Sequence, residues 1–152
     1  MISATSEYAL RAALLLARVY GERPLRAEEI ADAIGAPRNY LAKTLNALAK
    51  AGIASSARGP LGGFQLARSP EKITVSDVID CFDDPRTNAF CMLGNAPCDS
   101  RYPCAAHRQW TAILMARREP LTRTTLAQLI SGDDSDANSI NEKEYDHAVA
   151  AF

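Results

Sequence analysis

Residues 27–67 read AEEIADAIGAPRNYLAKTLNALAKAGIASSARGPLGGFQLA, and this stretch decides the fold. Ile30, Ala31 and Ile34 recur at helical spacing, and Gly35 stops the run. Ala36-Pro37-Arg38-Asn39 is a turn in which Pro37 suits helix entry. The spacing of Leu41, Leu45, Leu48 and Ala49 predicts a second helix over residues 38–51, closed by Gly52. Two short helices joined by a tight glycine turn form a helix-turn-helix pattern. Residues 53–57 then read as a strand, Arg58-Gly59-Pro60-Leu61-Gly62-Gly63 as a turn-rich loop, and residues 64–67 as a returning strand. A hairpin placed directly after the second helix is a wing. The expected fold class is therefore mainly α with a small β-hairpin wing.

Upstream, residues 1–20 read as a helix with a broad apolar face of Ala9, Leu10, Ala13, Leu14, Leu16 and Ala17. That face is wider than a surface helix needs, which suits a core helix or one also covered in a dimer. Downstream, Thr74-Val75-Ser76-Asp77 has the form of a capping box, with Asp at the usual Glu position. Val75, Val78, Ile79 and Phe82 follow as an inner stripe, and Asp83-Asp84-Pro85 ends it. Residues 86–103 read as a loop. A helix is expected to begin near Cys104 with His107, Trp110, Leu114 and Arg117 along one side, and to end or kink near Glu119 because Pro120 cannot donate to the ladder. Residues 125–130 complete a further helical turn or two. The segment 131–152 carries six acids against one lysine and is expected to be a disordered tail.

Composition sets the outer limits. The chain has 152 residues, 47% hydrophobic and 23% charged, enough for one domain with a real core and an appended element. No apolar run of about 18 residues or more is present, and Arg11 and Arg18 interrupt the N-terminal apolar stretch. A cytoplasmic protein without membrane partners is expected. The net charge of −1 conceals an asymmetry. Residues 1–70 hold nine Lys/Arg against five Asp/Glu, and residues 71–152 hold eight against thirteen. A basic head beside an acidic half suits a DNA-binding domain (1–70) followed by a sensing and dimer-forming part (71–130).

Three of the four cysteines crowd into one segment, Cys91-x6-Cys98-x5-Cys104, with His107 three residues further on. In a reducing compartment such a group points to metal or redox chemistry rather than to disulfides. Thiolates bind soft and borderline metals, imidazole completes such sites, and a helix start favours an anionic thiolate. Zinc sites usually show a tighter Cys-x2–4-Cys pair, whereas loop-borne thiolates at wider spacing suit an iron–sulfur cluster. Cys81, beside Phe82 in the preceding helix, reads as a small buried apolar residue. No nucleophile elbow or phosphate loop is present, so no enzyme is expected.

Glu7-Tyr8-Ala9-Leu10-Arg11, the wing Arg58-Gly59-Pro60-x-Gly62-Gly63-Phe64, the three-cysteine loop with His107 and Trp110, and Thr124-Thr125-Leu126 together resemble the Rrf-type winged-helix transcription regulators. The resemblance covers nearly all of residues 1–130. It implies a homodimer, in which the helix after the third cysteine crosses its counterpart, and one cluster per subunit near the interface. IscR-like members hold 2Fe–2S with three cysteines and the histidine three residues after the last, the position of His107. NsrR-like members hold 4Fe–4S with an acid from the partner's first helix, the position of Glu7. His107 and 2Fe–2S are favoured, with Glu7 and 4Fe–4S as the alternative. The chain departs from IscR-like members in a first cysteine gap one residue longer, in Leu61 at a common glycine position, and in Pro120.

In such a fold the second helix of the motif enters the major groove, so Arg38, Asn39, Tyr40, Lys43 and Thr44 are the candidate reading residues. Tyr40 could instead pack on its own domain. Arg58, Gly59, Gly62 and Gly63 would lie against the neighbouring minor groove, and a two-fold dimer implies a palindromic double-stranded operator. Two rivals remain: the same fold with a zinc or thiol-redox switch, and, more remotely, an iron–sulfur redox carrier with no use for the wing.

Overall fold

The computed structural model describes residues 2–59, 62–83, 91, 93 and 101–136. Most of the expected loop 86–103, the tip of the wing and the tail beyond residue 136 lie outside the described residues.

The elements follow in the order α1 (Ala4–Arg18), α2 (Ala27–Ile34), α3 (Arg38–Lys50), β1 (Ala54–Ala57), β2 (Gly63–Leu66), a single 3-10 turn (Pro70–Lys72), α4 (Val75–Ile79), α5 (His107–Arg123) and α6 (Leu126–Asp136). α2 and α3 are followed by the glycines that suggested their ends, while α1 is shorter than the expected 1–20. Ser3 caps α1 by accepting from the Ser6 amide. Gly35 closes α2 at φ 65°, a left-handed conformation that costs glycine little. Gly52 follows α3 at φ 72° and turns the chain into the wing.

At the start of α2, the Glu29 carboxylate accepts from the Arg26 amide at 2.7 Å and from the Arg23 guanidinium at 2.7 and 3.2 Å. The guanidinium and the amide hold its pKa down to about 2. Because the folded value lies below that of a free carboxylate, this contribution is complete above about pH 4.3 and is lost as pH falls towards 2. A carbon-detected NMR titration should place the Glu29 midpoint near 2. A midpoint in the ordinary carboxylate range would mean that the pair does not form.

One core joins all the helices but α5. Ala9, Ala12, Ala13 and Leu16 of α1 meet Ile30 and Ala31 of α2 and Leu41, Leu45 and Leu48 of α3, with Ile53, Leu66, Ile73, Val78 and Leu126 closing the sides. Three of these, Ala9, Ala12 and Ala13, are small residues on α1, which lets its neighbours approach closely. The Leu45 and Leu48 side chains are fully buried, and removing either would cost about 2–5 kcal/mol by cavity formation.

β1 and β2 pair antiparallel, Ala54 opposite Leu66 and Ala57 opposite Gly63. Leu25 adds a third rung on the far side: its amide donates to Phe64 O at 2.9 Å, and the Phe64 amide donates to Leu25 O at 2.7 Å. Here the wing glycines have a purpose of their own. A Cβ at Gly63 would sit 2.5 Å from Leu25 O, and one at Gly62 would sit 2.3 Å from Ala57 O. Gly63 therefore lets the wing pack on the chain entering α2, and Gly62 lets the hairpin close on its own backbone.

The capping box at α4 forms as the sequence suggests. Thr74 Oγ1 accepts from the Asp77 amide at 3.2 Å, and Asp77 accepts from the Thr74 amide at 3.0 Å. The helix is shorter than its apolar stripe, because α4 ends at Ile79 and turn-like bonds carry the chain to Asp83.

Three expectations are corrected. α5 begins at His107 rather than at Cys104, whose carbonyl accepts the His107 amide at 3.0 Å. It does not end at Glu119 but runs through Pro120 to Arg123. Ala116, Glu119 and Pro120 are all exposed, so water can satisfy the carbonyl that proline leaves without a donor. The Thr124 amide then bonds to Pro120 O at 2.9 Å, and the chain is held by Val75 N to Thr124 O and Leu126 N to Ile73 O, both 2.9 Å. Finally, α6 continues to Asp136, so the segment expected to be disordered from residue 131 opens as helix.

Candidate functional site

α3 presents its first turns outward. Arg38, Asn39, Tyr40 and Lys43 are all exposed, while Leu41, Leu45 and Leu48 face the core. Thr44 belongs with the leucines: it is 3% exposed and its hydroxyl donates to Tyr40 O at 3.2 Å. It cannot reach a groove, and the candidate reading surface loses it. Its place was readable, since Leu41, Thr44, Leu45 and Leu48 share one helical stripe.

Arg38 is aimed by Asp32 of α2, which accepts from its Nη2 at 2.7 Å and its Nε at 3.1 Å. Both side chains are about 60% exposed, so the pair orients the guanidinium without holding it strongly. Tyr40 packs partly on its own domain. Its hydroxyl is hydrogen-bonded to Thr5 Oγ1, and its ring meets that of Tyr8 edge-on at 5.9 Å. Arg58 is exposed where the wing leaves β1, and Gly59 beside it takes φ 108°.

Further along the chain, Cys91 Sγ and Cys104 Sγ stand 3.5 Å apart. Two thiolates on one tetrahedral metal at about 2.3 Å would be separated by about 3.7 Å, so the observed spacing fits a shared centre and is far too long for a disulfide. His107, on the first turn of α5, is linked to Cys104 through the backbone bond described above. Cys98 lies outside the described residues. Among the described residues no group of three or more His, Cys, Asp or Glu side chains is gathered as a metal site. Glu7 pairs with Arg11 along α1 at 2.7 Å, with both side chains about half exposed. Cys81 is separate: its thiol donates to Asp77 O at 3.2 Å, and burial, with Asp80 and Asp77 nearby, raises its pKa. Its surroundings disfavour the thiolate and suit a packing role beside the core.

α5 is unlike the other helices, having no buried residue among its 17. His107, Trp110, Thr111, Leu114, Arg118 and Leu121 form a half-buried stripe against the body, and Arg118 pairs with Asp80 just past α4. The stripe passes through Arg118 rather than through Arg117, which is exposed. Ile113 and Met115, 48% and 64% exposed, flank it on either side.

Comparison with known proteins agrees with this architecture. A family model described as Rrf2, iron-dependent transcriptional regulator, matches residues 2–132. The HTH-type transcriptional regulator IscR of Sodalis glossinidius is 30% identical over 133 residues, covering 88% of this chain and 80% of the relative. Among solved structures, IscR of T. potens superposes with a TM-score of 0.72 at 28% identity, covering 92% of this chain and 91% of that one. CymR, the global cysteine regulator of B. subtilis, superposes with a TM-score of 0.70 at 29% identity, covering 86% and 96%. The chain belongs to the Rrf2 family of DNA-binding transcription regulators, a class of regulators rather than of enzymes. No described helix is long and apolar enough to cross a membrane.

The family model and both solved structures bear on the fold and on the general role. The two superposed regulators differ in what their names record: one carries the IscR name and the other that of a cysteine regulator.

Proposed function

We propose that this regulator acts as a homodimer whose grip on a palindromic operator is set by an iron–sulfur cluster, favoured as 2Fe–2S, held by Cys91, Cys98, Cys104 and His107. The observation that carries the reading is the approach of Cys91 Sγ to Cys104 Sγ within 3.5 Å across thirteen residues of chain. Similarity to IscR supports the cluster. His107 is preferred as fourth ligand because it lies three residues from Cys104 in the same chain, its amide bonded to Cys104 O at 3.0 Å. Glu7 of the partner subunit, the alternative that goes with 4Fe–4S, is a residue whose counterpart in this chain is engaged by Arg11.

When bound, the cluster supplies a centre that can change charge, be lost or react with small oxidants. The chain's own residues convert that into DNA binding. The cysteine segment joins the end of α4 to the start of α5, so its conformation sets how α5 leaves the body. If α5 is the dimer helix, its angle fixes the spacing of the two α3 helices. Arg38 and Lys43 would then meet phosphate or guanine, with Asn39 and Tyr40 beside them and Arg58 and Gly59 at the minor groove. Gly62 and Gly63 also seat the wing, and would lie with Arg58 and Gly59 along the same groove.

A CymR solved in an oxidised form shares the fold, which favours a second reading, in which this chain senses through thiol oxidation, with zinc as the other non-cluster use of its cysteines. Purification without oxygen separates the two. A cluster predicts brown protein with visible absorbance and equal amounts of iron and sulfide, and duplex affinity that changes on cluster loss and falls as salt rises. Colourless protein that takes up no iron and sulfide on reconstitution would overturn the cluster and leave the second reading.

A further inference from the structure

Asp83 is the last residue described before the cysteine segment, and its carboxylate is bonded to the start of α1. Its Oδ2 accepts from the Ser3 amide at 2.8 Å and from the Ser6 hydroxyl at 2.6 Å, reaching across nearly eighty residues to the first turn of α1. Ser6 is fully buried, and its hydroxyl also accepts from Ser3 Oγ at 3.3 Å. Ser3 is itself the N-cap of α1. Burial would push the Asp83 carboxyl up, but the hydrogen bonds from Ser3 and Ser6 outweigh it and hold the group below its usual range. The carboxylate thus does for α1 what a local cap does elsewhere, from a distant part of the chain.

The same first turns of α1 carry Thr5 and Tyr8, which hold Tyr40 at the exposed start of α3. We infer that Asp83 is a positioning residue for DNA binding: by anchoring the first turn of α1 it fixes, through Thr5 and Tyr8, the pose of Tyr40 and of the reading helix. The inference needs no metal at the cysteines and stands if the cluster reading fails. It does place the anchor at the point where the cysteine segment departs, eight residues before Cys91.

The test compares the full-length protein with Asp83→Ala, Thr5→Val and the double variant, using the duplex that the unsubstituted protein enriches from a randomised pool. Each single change should weaken binding about fivefold to tenfold with an unchanged salt slope, since no phosphate contact is lost. Two changes on one linkage should not multiply, so the double variant should remain near tenfold instead of approaching fiftyfold. A merely structural role would give multiplicative losses, and that result overturns the inference, as does affinity within twofold for Asp83→Ala. Amide exchange of DNA-free protein provides a second readout. The Tyr40 and Leu41 amides, bonded to Pro37 O at 3.0 and 2.9 Å, should exchange about threefold to tenfold faster in Asp83→Ala, along with those of Ser6 and Glu7. Faster exchange confined to α1 overturns the linkage even if no duplex is enriched. Should Asp83→Ala fail to fold, Asp83→Asn and Ser6→Ala weaken the same anchor and are read in the same way.

Discussion

Ile113→Glu combined with Met115→Glu should convert the protein to monomer and weaken its hold on operator DNA by at least about a hundredfold. α5 is a 17-residue helix with no buried residue. A helix of that length is not held by its own propensity and normally gains its stability from a covered apolar face. The half-buried stripe through Trp110, Leu114 and Leu121 accounts for one side, against the body. Ile113 and Met115 lie about 100° to either side of that stripe, so a partner helix crossing on either flank meets one of them. A two-fold interface repeats every substitution. A carboxylate stripped of water costs about 2 kcal/mol or more, and two copies cost about twice that, or roughly a thousandfold in dimer dissociation constant. Both side chains are exposed in the single chain, so its own core should not suffer. Sedimentation would read the oligomeric state, and gel shift the DNA affinity. A double variant that still sediments as a dimer would remove α5 from the interface, and with it the route from the cysteine segment to the spacing of the two heads.

Much of this arrangement is legible in the sequence, and the reasons are physical. α2 and α3 are marked by a 3.6-residue apolar period ended by Gly35 and Gly52, both of which take positive φ. The wing is marked by glycines whose necessity the structure explains: Gly62 and Gly63 leave no room for a Cβ beside Ala57 and Leu25. The capping box at Thr74 is a local pattern and forms locally. Where local rules mislead, a tertiary or solvent effect intervenes. Proline at position 120 forbids one hydrogen bond, but on an exposed face the lost bond does not end the helix. Thr44 resembles a groove-facing residue until its register with Leu41 and Leu48 is considered. Asp83 and Tyr40 had no local signal, because their partners Ser3, Ser6 and Thr5 are 35 to 80 residues away. No periodicity or motif encodes such a contact. Asp83 reads simply as the end of a helix, and its carboxylate proves to brace the N-cap of another.

The cysteine reading lies between these cases, since spacing suggests a site but only proximity supports one. Cys104→Ala should abolish the visible absorbance of anaerobic protein, and Cys91→Ala should do the same. Two sulfurs at 3.5 Å fit two corners of one tetrahedral centre, and losing either leaves too few thiolates to retain it. Cys81→Ala should leave the chromophore intact, because its thiol is bonded to Asp77 O and its raised pKa disfavours the thiolate that a metal requires. His107→Ala should keep the colour but shift the spectrum and speed cluster loss, whereas Glu7→Gln should change neither. If the partner's carboxylate is the fourth ligand, the two outcomes exchange places. Cys91 and Cys104 are only partly buried and stand outside the hydrophobic core, so the melting temperature of metal-free protein should move by no more than a few degrees. Lost colour with an unchanged apo melting curve therefore reports ligation rather than unfolding. Cys104→Ala protein that keeps its colour, iron and sulfide would mean that the pair at 3.5 Å is adjacent packing and that any cluster is held by other residues.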